Sequence, residues 1–232
     1  MFFWGFDPTY ILLIPALIFA FYAQSKVNST FHRYLQVRSR SGYTGAQVAR
    51  ELLARNGAEN VHVEEIGGHL ADHYDPRDQV IKLSPEVYES SSLAALGVAA
   101  HETGHALQHA EHYAPLGIRN NLFPVANIGS TLAFPLFFIG FLFPRGAGGV
   151  LMDLGILLFL GALLFQVITL PVEYNASRRA MAMLEAGGYI ARDEVGDTRR
   201  VLSAAAMTYV AATAMAALQL VRLLFLRNLR ER

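Results

Sequence analysis

The sequence contains no cysteine. Disulfides, thiolate metal sites and cysteine nucleophiles are excluded, so a zinc site would have to use histidine and carboxylate ligands. Charge is scarce as well. Asp, Glu, Lys and Arg make up 16% of the 232 residues, below the roughly 25% usual for soluble domains. Basic and acidic residues balance at 19 each, so no basic surplus argues for a nucleic-acid partner. Internal repeats and low-complexity segments are also missing.

What is plentiful is apolar. Hydrophobic residues reach 53% and gather in blocks. Residues 8–23, "PTYILLIPALIFAFYA", carry no charge and extend backwards through "FFWGF" if Asp7 lies at an interface. No A-x-A-type cleavage site follows, so this block is expected to be a retained anchor. Residues 122–143 form an uncharged run long enough to cross a ~30 Å hydrocarbon core. Residues 154–172 form a third such run, separated from the second by "PRGAGG". A fourth, 204–226, is alanine-rich and holds Arg222; it either spans or packs on the catalytic segment.

Charge placement favours packing for that fourth run. Lys26, Arg33, Arg38 and Arg40 follow the first run, which puts residues 24–120 on the cytoplasmic side. Two more crossings return the chain to the same side at Glu173, where Arg178 and Arg179 agree. The basic tail "RNLRER" prefers that side too, and a fourth crossing would forbid it.

Between the first two runs lies a polar segment. Thr44 and Gln47 form a capping-box pattern opening a helix that ends near Gly57. Three strand-like runs follow at 61–66, 69–74 and 79–83, the first two joined by Gly67-Gly68 and the last two by "DPRD". Ser84-Pro85 reads as an N-cap with proline at the first helical position, and a helix at about 92–110 comes next.

That last helix carries "HETGH". Four residues advance a helix by about 400°, so His101 and His105 share a face one turn apart. This H-E-x-x-H spacing lets two imidazoles reach one zinc ion, with Glu102 beside it as general base. Helix, small antiparallel sheet, then an H-E-x-x-H helix is the order found in zincin peptidases. An edge strand of such a sheet could hold an extended peptide by backbone pairing.

A catalytic zinc usually has three protein ligands and a water. His109 and His112 miss the metzincin spacing, because Gln108 and Glu111 stand where glycine and histidine would be needed. Asp153 would suit a site-2-type intramembrane protease, yet "HETGHALQHAEHY" is too polar to face lipid. Glu173 is the best candidate. An acid directly after nineteen apolar residues calls for a reason, and beside H-E-x-x-H it reads as a gluzincin-type ligand. The alternative is an interfacial ion pair with a nearby arginine.

The stretches "DHYDPR", "LGVAAHETGHALQH", "YAPLGIRN", "PVANIG", "TLPVEYNASRRAMAML" and "VLSAAAMTYVAA" resemble the YugP-like membrane zinc metallopeptidases, from Thr44 to Ala212. The resemblance implies a neutral zinc peptidase, one Zn²⁺ per chain, in a bacterial cell membrane. It also suggests kinship with HtpX-type and CAAX-prenyl endopeptidases, whose glutamate ligand opens an E-F-x-A-D pattern. Here the matching run is Glu173-Tyr174-Asn175-Ala176-Ser177. Ser177 replaces an aspartate that orients a zinc histidine in those relatives. Serine can accept an imidazole N–H without the charge that raises ligand basicity, and Asn175 or Asp72 are the substitutes to consider.

The expected architecture is a membrane α-helical protein with an α+β zincin-like catalytic domain. It has three to four hydrophobic helices and a small antiparallel sheet. Residues 1–23 are the anchor, 24–120 the catalytic segment and 121–172 a transmembrane hairpin. Residues 173–203 carry the third ligand, and 204–232 form a hydrophobic helix with a basic tail. His101, His105 and Glu173 are expected to hold zinc, and Glu102 to accept the proton of an attacking water. His73, Tyr74, Arg178 and Tyr209 are candidate oxyanion donors. The expected partners are the bilayer and peptide substrates, membrane proteins foremost. A non-catalytic metal-binding scaffold is the rival reading. A transporter is disfavoured, because no charge sits within the second or third run.

Overall fold

A computed structural model describes residues 7–231, with the side chains of Arg145 and Glu231 excepted. The backward extension of the first run through residues 2–6, and the final residue of the basic tail, lie outside the described residues. After a short 3-10 turn at Pro8–Leu13 come α1 (Ile14–Leu35) and α2 (Gly45–Arg55). Three strands follow: β1 (His62–Glu65), β2 (His73–Asp75) and β3 (Val80–Leu83). The rest is helical: α3 (Pro85–Tyr88), α4 (Leu93–Ala110), α5 (Ala114–Leu142), α6 (Arg145–Ala186) and α7 (Val195–Glu231).

The chain divides into two compact units. One holds the described residues up to Tyr22, Ile118–Leu170 and the residues from Thr208 onward; the other holds Ala23–Gly117 and Pro171–Met207.

The first unit is apolar outside as well as inside. Among the described residues, four helices are long and apolar enough to cross a membrane, and only 11–28% of the residues in their most apolar windows are buried. Buried helices of a water-soluble core would show the reverse. The helix built on the 204–226 run is one of the four, which is the upper end of the three to four expected. Within the unit, close approach rests on glycine. A Cβ on Gly155 would lie 2.7 Å from the Ala133 carbonyl oxygen, and one on Gly129 would lie 2.6 Å from that of Leu158. Small residues permit this contact of α5 with α6, where apolar burial alone gives little drive. Arg222 is buried at 2% exposure, against Asp7, the Thr9 hydroxyl and the face of Tyr10.

The second unit is an α+β layer. Thr44 and Gln47 close the expected capping box on α2, and Gly57, at φ +71°, follows its C-terminal end. Ile81 and Leu83 of β3 share a buried cluster with Ala49 and Leu53 of α2 and with Ala95 and Ala99 of α4. A second cluster joins Leu52 and Leu96 to Ala180 and Leu184 of α6 and Leu202 of α7. Each fully buried leucine there contributes about 1.5–3 kcal/mol by leaving water, and together they dock the end of α6 on the motif helix.

The sheet is mixed, not antiparallel throughout. Its order is β1-β3-β2, with β1 parallel to β3 and β2 antiparallel to it. Gly67-Gly68 therefore does not close a hairpin. The backbone turns through Gly68 (φ +119°) and Leu70 (φ 52°) and crosses to the far side of β3. The reason is burial: β3 is buried at three of its four positions and takes the centre, whereas β1 buries one and is left at an edge. The second hairpin forms, but its first strand is His73–Asp75 rather than the expected 69–74, because the chain is still turning through Leu70; in the turn that follows, Asp75 Oδ1 accepts the Arg77 N–H.

Candidate metal centre

Everything at the candidate centre belongs to the second unit. Ser92 caps α4, its hydroxyl accepting the Ala95 N–H. From there the helix reads LAALGVAAHETGHALQHA, and its small residues leave room on two faces. The closest approach is at Gly104, inside the motif. A Cβ there would lie 2.8 Å from the Ala176 carbonyl oxygen. Glycine on α4 and fully buried Ala176 on α6 thus let the two helices meet, three residues after Glu173.

This approach brings the three candidate ligands together. Glu173, 3% exposed, places Oε2 3.3 Å from His101 Nε2 and 3.4 Å from His105 Nε2. The two rings stand edge to face with centroids 4.7 Å apart. One donor atom from each of the three side chains falls within 4.8 Å of the others, the spacing of atoms gathered for a single ion. Among the described residues this is the one such group. Two imidazoles and a carboxylate are a donor set suited to zinc. Glu102, next to His101 in the chain, is buried.

The other nitrogen of each imidazole is also held. His101 Nδ1 lies 3.1 Å from Ser177 Oγ. His105 Nδ1 lies 3.0 Å from Gln108 Oε1, a residue that spacing alone did not single out as functional. Gln108 is fully buried, and its amide N–H groups donate to the Val172 carbonyl and to Asn175 Oδ1, each at 2.9 Å. Asn175 Oδ1 also accepts from Arg179 Nε at 2.8 Å, and Arg179 pairs with Glu111. Arginine can only donate and a carbonyl can only accept. The amide of Gln108 is therefore fixed with Oε1 towards His105, whose Nδ1 must carry the proton. That leaves Nε2 to the metal position. Burial opposes charge on His105, but Glu173 and Glu102 outweigh it and raise its pKa above the ordinary histidine value.

The remaining candidates fall elsewhere. Asn175 reaches His105 only through Gln108. Asp72 is not bonded to either histidine: it accepts the Ser84 N–H and hydroxyl, tying the crossing loop to the start of α3. Burial, with the nearby Glu102 charge adding to it, holds the Asp72 carboxyl above the usual range against those hydrogen bonds. His73 Nδ1 contacts the Ala71 carbonyl, and Tyr74 Oη lies 2.8 Å from His109 Nδ1. Arg178 is exposed on α6 and His112 in the turn after α4. Tyr209 belongs to the other unit, as does Asp153, which pairs with Arg227.

Two comparisons bear on this geometry. The family described as "Putative neutral zinc metallopeptidase" matches residues 9–228. The chain is 47% identical over 211 residues to "Putative membrane protease YugP" of Bacillus subtilis (strain 168), covering 91% of this chain and 92% of that protein. No solved structure matches. With nearly the whole chain matched and two histidines and a glutamate converging as a zinc peptidase requires, the protein belongs to the neutral zinc metallopeptidase family.

Proposed function

We propose that this protein is a membrane-anchored endopeptidase that hydrolyses peptide bonds at a zinc ion beside the cytoplasmic membrane surface. One observation carries the reading: His101, His105 and Glu173 converge, with Glu102 buried at the next position along the same helix. A purely structural site would need no carboxylate there. Zinc at this position supplies a Lewis acid that polarises the scissile carbonyl and acidifies water towards a pKa of ~7. Glu102 takes the proton of the attacking water and passes it to the departing amine. Gln108 holds His105 in the protonation state the metal needs, and Ser177 stands within hydrogen-bond reach of His101 Nδ1. β2 is an edge strand, so an extended substrate can pair along its open side.

Chain continuity supports action at the surface. Glu173 directly follows the apolar run ending at Val172, on the unbroken helix α6. At 1.5 Å rise per residue the ligand stays within ~5–10 Å of the end of that run. Substrates are then membrane proteins or their juxtamembrane tails. The cytoplasmic side follows from Lys26, Arg33, Arg38 and Arg40, just past the first run.

The test is one experiment on reconstituted enzyme. Parent and Glu102→Gln are given one target sequence placed at increasing linker distances from a transmembrane helix, and zinc is counted in both. The expected outcome is about one zinc in each, cleavage by the parent alone, and a rate that falls with linker length. Equal cleavage by both proteins would remove Glu102 from the mechanism. Zinc in both with cleavage in neither would leave a metal-binding scaffold. A rate independent of linker length would make the enzyme a general peptidase that happens to be anchored.

A further inference from the structure

The second unit has a basic cleft that the peptidase reading does not use. It has a volume of about 720 Å³ and lies between α1 and the start of α7. From α1 it is lined by Lys26, Ser29, Thr30 and Arg33, spaced i, i+3, i+4, i+7, which is one face of a helix. Arg199, Arg200 and Ser203 follow the same rule on α7. Four cations therefore face one cleft, and no acidic side chain lines it. Tyr34 and Thr30 are buried in it, while all four cations are exposed.

The charge there is only partly neutralised. Arg200 pairs with Asp197 and also donates to the Tyr34 hydroxyl. Arg199 approaches Glu185 loosely, at 3.7 Å. Lys26 and Arg33 form no ion pair among the described residues, Arg33 lying instead over the Tyr34 ring. Two cations are thus in surplus, beside the hydroxyls of Ser29 and Ser203. That combination suits a phosphate group.

The chain also says where that phosphate comes from. Lys26 lies three residues past Ala23, the last of the uncharged run, and Ser203 immediately precedes the run beginning at Ala204. On helices rising 1.5 Å per residue, the cations stand within about 5–15 Å of two apolar runs along their own helices. That is the depth of lipid headgroups if those runs enter the bilayer. We propose that this cleft binds the phosphate headgroup of an anionic phospholipid, seating the peptidase unit on the charged face of its membrane.

The test uses the full chain in detergent, titrated with phosphatidylglycerol or phosphatidylcholine and read by native mass spectrometry. The parent is expected to retain phosphatidylglycerol in preference. Each cation near an anionic surface is worth about fivefold in affinity, so Lys26→Gln with Arg33→Gln should weaken retention by about thirty-fold. Arg77→Gln with Arg192→Gln, which removes two exposed cations that do not line the cleft, should leave it unchanged. Equal retention of the two lipids, or an equal loss in both double variants, would overturn the proposal. Displacement by inorganic phosphate at matched concentration would overturn the lipid assignment and make the cleft a site for a soluble phosphate. If the glutamine variant loses helicity, the parent decides: raising salt from about 50 to about 500 mM should strip the lipid, and salt-independent retention would sink the idea.

Discussion

The two histidines of the candidate centre are supported in different ways. His105 rests on a chain of groups whose polarity cannot reverse, from Arg179 through Asn175 to Gln108. Asn175 and Gln108 are both buried, and the direction of each hydrogen bond is dictated. His101 rests on one hydroxyl, Ser177, which can donate or accept. One side of the site is therefore organised before any metal arrives, and the other is oriented fully only when Nε2 engages an ion. An aspartate at that position would accept only. The serine makes this half of the centre the adaptable one.

The largest effect expected on this comparison removes what the two sides share. Glu173 touches both imidazoles, so Glu173→Ala should strip most of the zinc and abolish peptidase activity while leaving helix content intact. Metal analysis after purification without nickel affinity checks it. Full zinc retention would move the third ligand elsewhere and void the contrast between the two histidines.

Next comes the rigid side. Gln108→Leu keeps the volume but removes the acceptor for His105 and the donors to Val172 and Asn175. Losses from removing a group that orients a metal ligand run ~10–100-fold in affinity, and this change should sit near the upper end because it also frees the imidazole tautomer. Leaving buried polar groups unpaired should cost a further 1–3 kcal/mol or so of stability. Chelator competition reads the first and thermal unfolding the second. A loss of stability without a loss of affinity would make Gln108 a packing residue alone.

Gln108 also marks where reading the sequence stops. His101, Glu102 and His105 are legible because helix geometry turns a four-residue spacing into a shared face. Glu173 is legible because an acid after an apolar run is costly, and Ser177 because it stands where an E-F-x-A-D-like run would have its aspartate. Gln108 lies three residues after His105, close enough to bond to it on a helix, and that spacing was the one local signal. Its function depends on Val172 and Asn175, more than sixty residues away, and only the packing of α4 on α6 joins them. That packing rests on Gly104, which inside H-E-T-G-H looks like a filler between two ligands. The sheet shows the same limit. Its strands were visible as short strand-like runs between turn signals, but their order follows from which strand is most buried, a property of the assembled unit.

The smallest effect belongs to the adaptable side, and its sign is informative. Ser177→Ala should weaken zinc binding by ~10-fold, the lower end of the range, because a single neutral acceptor is lost. Ser177→Asp should do the opposite through two linked consequences. A carboxylate accepts only, so it fixes the proton on His101 Nδ1 and raises the basicity of Nε2 towards the metal. It also stands one helical turn from Glu173, and like charges at that spacing repel. Without metal the repulsion is unrelieved, so the metal-free protein should melt lower than the parent. With zinc bound, the cation offsets both carboxylates, and affinity should rise several-fold above the parent. Chelator competition and melting curves with and without EDTA separate the two terms. If serine, alanine and aspartate at position 177 bind zinc equally, His101 is oriented by the metal alone, and the asymmetry between the two histidines has no energetic weight.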